Sequence, residues 1–257
     1  MLADLVEGAR LDAEQRSQTV PYEDLLQRIS HQAPVKLNAT LRERPFGHGL
    51  LAEIKRKSPS KGHLAEIPDP IALAQAYEAG GATAISVLTE SRKFGGSLED
   101  LEAVAQAVSI PVLRKDFITT TYQVAEARAF GADLVLLIMA SLDDELAASL
   151  LADVRSFGMT ALVETHSEEE VLRAVALGAD VIGVNARDLA TFELDKGLFG
   201  RLRHLIPSES VAIAESAVVT VEDVGAYRDQ GADLVLVGEA LVTGDSPEER
   251  VKEFLSI

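Results

Sequence analysis

The stretch Gly131-Ala-Asp-Leu-Val-Leu-Leu-Ile-Met139 sets a glycine, a small residue and a carboxylate directly before an apolar run. Glycine adopts the left-handed conformation that closes a helix, so the triplet reads as a helix end and the run as the next strand. The signature returns at Gly81-Ala82-Thr83, Gly178-Ala179-Asp180 and Gly231-Ala232-Asp233, at separations of about 50 residues, which is two strand–helix units each time. Working outward from these turns, strands are expected at Leu50–Lys55, Ala84–Leu88, Pro111–Lys115, Leu134–Met139, Ala161–Glu164, Val181–Asn185, Val211–Glu215 and Leu234–Val237. A helical pattern fits each gap. Ser167-Glu-Glu-Glu170, Thr220-Val-Glu-Asp223 and Ser246-Pro-Glu-Glu249 are helix starts of the capping-box kind. Eight strands, each followed by a helix, predict an α/β fold: a closed (β/α)8 TIM barrel. An open doubly wound sheet would call for a G-x-G-x-x-G turn after the first strand, and the sequence has none there.

Ahead of the barrel, Leu2, Leu5, Val6 and Ala9 repeat at helical spacing, Pro21 ends that pattern, and residues 22–30 give a second short helix. A linker with Pro34 and Pro45 follows. Residues 1–48 are therefore expected to be a helical extension packed on one catalytic barrel of residues 49–257. The length of 257 residues suits one large barrel and leaves no room for a fused second enzyme. With 47% hydrophobic and 25% charged residues, a large core is available. The absence of cysteine excludes disulfide and thiol chemistry. A net charge of −17 argues against nucleic acid and anionic membrane as partners. No apolar run is long enough to span a bilayer, and the first dozen residues are too acidic for a signal peptide, so a cytoplasmic protein is expected; a monomer is the expected state, with weak oligomerisation left open. Against the acidic background, Lys55-Arg56-Lys57 with Lys61 stands out as a local positive cluster.

In such a barrel, chemistry sits at the carboxyl ends of the strands. Glu53 and Lys55 lie two apart and so share a face. The other strand ends bring Glu90, Lys115 and Asp116, Glu164, Asn185 and Arg187, Glu215 and Ser216, and Gly238 and Glu239. A purely structural barrel would fill inward positions with Val, Ile and Leu, so this polar set reads as a site. The five histidines, His31, His48, His63, His166 and His204, have no metal-ligand spacing, and His166 reads as a loop residue before a helix start. Neither a G-x-S-x-G elbow nor a P-loop appears. No metal and no cofactor are expected.

These motifs resemble the indole-3-glycerol phosphate synthase family. The likeness rests on Ala52-Glu-Ile-Lys-Arg-Lys-Ser-Pro-Ser-Lys-Gly62, Ala84-Ile-Ser-Val-Leu-Thr-Glu90, Phe94-Gly-Gly-Ser97 and Val112-Leu-Arg-Lys-Asp-Phe-Ile118. It continues through Leu162-Val-Glu164, Gly183-Val-Asn-Ala-Arg-Asp-Leu189, Ala214-Glu-Ser216 and Val237-Gly-Glu239. The resemblance implies decarboxylating ring closure and dehydration of 1-(2-carboxyphenylamino)-1-deoxyribulose 5-phosphate, a small anionic aromatic sugar phosphate. It implies Lys115 as a general acid and Glu164 as the carboxylate of the later step. Lys55 would contact substrate anions or act as a second acid, and Glu53 would hydrogen-bond both lysines. Asn185, Glu215 and Ser216 would position hydroxyls and side chains. Ser58 and Arg187 suit the substrate carboxylate, Arg187 equally suiting a loop salt bridge. Pro59, Phe94, Phe117, Leu136 and Phe192 would form the aromatic slot, and Ser216, Ala217, Gly238 and Glu239, with Lys55, the phosphate site. Two positions depart from the family. Ala217 replaces a usual glycine, at a cost of about 1 kcal/mol if positive φ is required. Thr120 replaces a frequent aspartate. A related isomerase barrel would be expected to use an Asp/Cys pair, which a chain without cysteine lacks. A catalytically silent barrel would be expected to lose Lys115 or Glu164 first.

Overall fold

The computed structural model describes residues 1–36, 49–58, 62–64, 67–188, 191–242 and 246–257. Pro45, His48, Pro59, Lys61 and the side chain of Ser58 lie outside the described set. Eight parallel strands close into a barrel: β1 (Gly49–Ile54), β2 (Ala84–Leu88), β3 (Val112–Lys115), β4 (Leu134–Ile138), β5 (Thr160–Thr165), β6 (Val181–Asn185), β7 (Val211–Glu215) and β8 (Leu234–Val237). Each strand pairs with its sequence neighbours, and β8 closes the ring on β1 with Leu51 opposite Leu236.

Several expected boundaries shift. β1 ends one residue before Lys55, and β3 begins after Pro111, whose carbonyl accepts from Ile85 N–H at 2.9 Å. β4 stops at Ile138 because Met139 opens a 3-10 turn, Met139–Ser141. β5 is longer at both ends than expected. The helical layer is also uneven. Among the described residues, the gap after β6 holds a short helix, Leu198–Leu202, and a 3-10 turn, and β8 is followed by the four-residue helix Glu239–Val242 before Pro247–Leu255. A small antiparallel hairpin, Lys57–Ser58 with Gly62–His63, interrupts the loop after β1.

The repeated triplets act as buckles. Each glycine has positive φ (99°, 86°, 69° and 90° for Gly81, Gly131, Gly178 and Gly231), and the following alanine N–H bonds back to a helix carbonyl, as Ala132 does to Ala127 at 3.0 Å. The third residue then reaches sideways. Thr83 Oγ1 accepts from Leu50 N–H, Asp133 Oδ2 from Val112 N–H and Asp233 Oδ2 from Ala212 N–H, each tying a new strand to the start of the one before it. The helix starts are capped as expected at Ser167 and Ser246, whose hydroxyls accept from Glu170 and Glu249 N–H.

Strand alternation sorts the core into two shells. Leu50, Ala52 and Ile54 face the helices, as do Val135, Leu137, Ile182 and Val184. Leu51, Leu113, Leu134, Leu136, Leu162, Val181, Ile213 and Leu234 fill the barrel itself, so the lower interior is packed. The first helix, α1 (Leu2–Thr19), lays Leu2, Leu5, Val6 and Ala9 against this inner cluster beside Phe94. It is pinned by Arg16, which donates to both oxygens of Glu126 at 2.6 and 2.8 Å, and by Arg92 Nε to Asp12 at 2.9 Å. Glu126 is buried and also contacts the fully buried Arg114 at 3.0 Å.

Candidate active site

Near the carboxyl end of the barrel, the inward face turns polar. The last inward residues of β1, β3, β5, β6 and β7 are Glu53, Lys115, Glu164, Asn185 and Glu215. They converge on one cavity with Lys55, Arg187, Ser216, Ala217, Gly238 and Glu239. Phe94, Phe117, Leu136 and Phe192 line the same cavity, with the rings of Phe94 and Phe117 6.1 Å apart.

Lys115 is at the centre. Its Nζ is 3.0 Å from Glu164 Oε2 and 2.5 Å from Glu215 Oε2. Burial disfavours its charge, but Glu164, Glu215 and Glu53 outweigh that and hold the ammonium well above the ordinary lysine range. The two carboxylates beside it diverge. Burial opposes ionisation of Glu164, yet Lys115 and His166 keep its carboxyl well below the usual range. Burial and the adjacent Glu164 push Glu215 up to about 8 against the pull of Lys115. The two carboxyls are therefore driven apart, Glu164 toward its ionised form and Glu215 toward its protonated one. Two glycines make room for these groups: a Cβ at Gly183 would fall 2.0 Å from Glu215 Oε1, and one at Gly238 2.5 Å from Glu53 Oε2.

The expectation that Glu53 would hydrogen-bond both lysines needs correction. Glu53 bonds Lys55, whereas the described bonds of Lys115 go to Glu164 and Glu215, so Glu53 acts on Lys115 through charge alone. Asn185 Oδ1 accepts from Ser216 Oγ at 2.7 Å and from Arg187 N–H at 3.0 Å. Among the described residues Arg187 forms no ion pair; its Nη1 reaches the Phe192 carbonyl at 3.5 Å. Ser216 and Ala217 both hold positive φ, 69° and 60°.

Two strand-end acids are engaged by neighbouring groups of the chain. Glu90 accepts from the N–H groups of Arg92, Lys93 and Phe94, shaping the loop that carries Phe94. Asp116 lines the cavity, but its carboxylate is taken by Thr89 Oγ1, Arg114 Nη2 and Phe117 N–H. Thr120 caps the helix Thr121–Ala129 in a capping box with Gln123, whose amide also donates to the Phe117 carbonyl.

The sequence reading missed two contributors. Leu2 and Leu5 of α1 line the cavity; their spacing announced an apolar face but not what it covers. His166 sits in the loop after β5, as expected, but its ring also stands behind Glu164, with Nε2 3.3 Å from Glu164 Oε1 and Nδ1 3.3 Å from Glu170 Oε2. Among the described residues, no group of three or more His, Cys, Asp or Glu could hold a metal ion, and no helix is long and apolar enough to cross a membrane.

Comparison with known proteins gives the family. The family model for indole-3-glycerol phosphate synthase matches residues 2–254. The indole-3-glycerol phosphate synthase of Mycolicibacterium smegmatis is 52% identical over 256 residues, covering 100% of this chain and 94% of its own. That of Leifsonia xyli is 54% identical over 258 residues, covering 100% and 98%. Among solved structures, the thiamine phosphate pyrophosphorylase of Pyrococcus furiosus superposes with a TM-score of 0.61 at 15% identity over 81% of this chain and 94% of its own, a likeness of fold alone. On its sequence and its relatives, this chain belongs to the indole-3-glycerol phosphate synthase family.

Proposed function

We propose that the rim around Lys115 carries out the family's reaction by general acid–base catalysis. The enzyme is a carboxy-lyase of tryptophan biosynthesis: it converts 1-(2-carboxyphenylamino)-1-deoxyribulose 5-phosphate to indole-3-glycerol phosphate, carbon dioxide and water. Attack of the aromatic carbon on the ketone leaves negative charge on the ketone oxygen. Lys115 supplies the proton there. The observation that carries this role is its buried ammonium, kept charged by Glu164 and Glu215 and opening onto the cavity. Loss of carbon dioxide restores the electron pair to the ring, and the new hydroxyl then leaves as water after accepting a proton. Glu164, ionised beside Lys115, stabilises the cation formed at that stage and removes a proton from the neighbouring ring methylene carbon, so that the carbon–carbon double bond of the indole forms and its N–H is kept.

Lys55, held by Glu53, serves as the second acid and as a contact for substrate anions. Glu215 retains its proton near neutral pH and fixes the Lys115 ammonium, while Asn185 and Ser216, bonded to each other, orient the sugar hydroxyls. Arg187 and Ser58 receive the substrate carboxylate. The aromatic ring takes the slot of Phe94, Phe117, Leu136 and Phe192, joined by Leu2 and Leu5. The phosphate is bound by the N–H groups of the loops after β7 and β8 at Ser216, Ala217, Gly238 and Glu239, helped by Lys55. Residues 1–48 act as an extension serving one catalytic barrel of residues 49–257, and the acidic chain works as a cytoplasmic monomer without nucleic acid.

Indole fluorescence on adding the carboxyphenylamino substrate tests the assignment. Wild type turns over; Lys115→Met and Glu164→Gln each lose on the order of 10²–10⁴ in kcat. Full activity in either variant removes that residue from its role.

A further inference from the structure

His166 follows β5 and does not line the cavity, yet it is 12% exposed in its side chain and wedged between two carboxylates. Glu164 reaches it from its own strand. Glu170 reaches it from the helix Glu168–Ala176, and the same Glu170 oxygen accepts the His166 backbone N–H at 2.8 Å. That backbone bond holds the Glu170 carboxylate against the turn that carries the ring. The ring nitrogens then face opposite ways, one to each acid. Among the described residues, Nε2 has no hydrogen-bond partner of good geometry, so its contact with Glu164 is one of charge at 3.3 Å. Glu164 consequently lies between two cations, with Lys115 on Oε2 and His166 on Oε1.

We propose that His166 is a positioning residue for Glu164: an imidazolium clamped between Glu164 and Glu170 that keeps the Glu164 carboxylate ionised and turned toward the cavity. The proposal rests on the catalytic role given to Glu164 above. Its physical basis is charge bookkeeping at the buried rim. Lys115 is divided between two acids, and burial works against ionisation of both. A second cation behind Glu164 resolves which acid keeps the proton: Glu164 has two positive neighbours and Glu215 has one. The charged groups facing His166 are Glu164 and Glu170, and together they hold its own titration up at about 10 against burial. The imidazolium therefore persists across the enzyme's working range. Outer partners of this kind orient the groups that touch substrate and set their protonation without touching substrate themselves.

The first experiment needs no variant. Histidine ring resonances of the wild-type protein, followed by NMR from pH 5.5 to 9, are expected to show His166 as a doubly protonated ring that does not titrate below pH 8. A His166 signal titrating near the ordinary 6.5 overturns the proposal. The second measures His166→Gln. Its kcat is expected to fall on the order of tenfold with KM within twofold, and the acid limb of its pH–rate profile to move upward, because Glu164 has lost a positive neighbour. Glu170→Gln, which can keep the backbone bond, is expected to bring the His166 titration down into the assay range, so that activity falls as pH rises through it. An unchanged kcat and acid limb in His166→Gln overturn the proposal, as does a change confined to KM. If Glu164→Gln also keeps activity, it is the role of Glu164 that fails. If Glu164→Gln is dead and His166→Gln is wild type, the clamp alone fails.

Discussion

Glu215 is the residue whose environment is least forgiving. Its carboxyl is buried, bonded to Lys115 on one oxygen and pressed by the other against the bare backbone of Gly183. Gly183→Ala would set a Cβ 2.0 Å from that oxygen. The oxygen is the tip of a side chain, so the fold survives and the carboxyl moves off Lys115. The expected outcome is a folded protein with kcat lowered about 10- to 100-fold and a modest change in KM, read from steady-state kinetics beside circular dichroism. Ala217 behaves differently. It holds φ 60°, a conformation that costs alanine more than glycine. Ala217→Gly is expected to leave substrate KM within twofold and to change stability by no more than about 1 kcal/mol; a strongly lowered KM would show that the loop rearranges on binding. At this scale the sequence was most legible where charge broke the apolar alternation, as at Glu53, Lys115, Glu164 and Glu215. It was silent on partners. Nothing in the spacing of Glu53 and Lys115 tells that Lys115 bonds elsewhere, and nothing in the sequence around His166 tells that this loop residue lies between two carboxylates.

Among the elements, α1 has the clearest double duty. Its apolar face reaches the cavity with Leu2 and Leu5, and its far end is locked by Arg16 on Glu126. Arg16→Ala leaves the buried Glu126 with Arg114 alone and removes two charge-assisted hydrogen bonds, with an expected loss of about 1.5–3 kcal/mol in denaturant unfolding. A raised KM should accompany it, because the helix that bears Leu2 and Leu5 is released; an unchanged KM would show that α1 adds bulk and no binding surface. Helical periodicity made α1 visible in the sequence, but an amphipathic helix looks alike whether it covers a mouth or a flank. The strands were legible to within a residue or two for a definite reason: each is preceded by a helix-closing glycine or followed by a polar rim. The short helices after β6 and β8 were not, since a gap long enough for a full helix does not require one.

Across the whole molecule, protonation and stability are linked. Glu215 and His166 titrate at about 8 and about 10 in the folded protein, above their ordinary 4.5 and 6.5. The stability each contributes is complete below the ordinary value and is lost as pH rises through the folded one. Glu164 has the opposite sign, its contribution being lost only as pH falls through its lowered value. With a net charge of −17 adding self-repulsion, Tm is expected to fall between pH 6 and pH 9, by about 2–4 °C for each kcal/mol lost, with a shallower fall in Glu215→Gln. A Tm that rises over this window would contradict these ionisations. The side-chain buckles at Thr83, Asp133 and Asp233 belong to the other end of the ring and involve none of these groups. Closure and chemistry are therefore separately mortgaged parts of one chain. The mouth can accumulate substitutions, and with them altered substrates, while the ring beneath it stays shut: a division that makes this barrel a forgiving starting point for laboratory evolution.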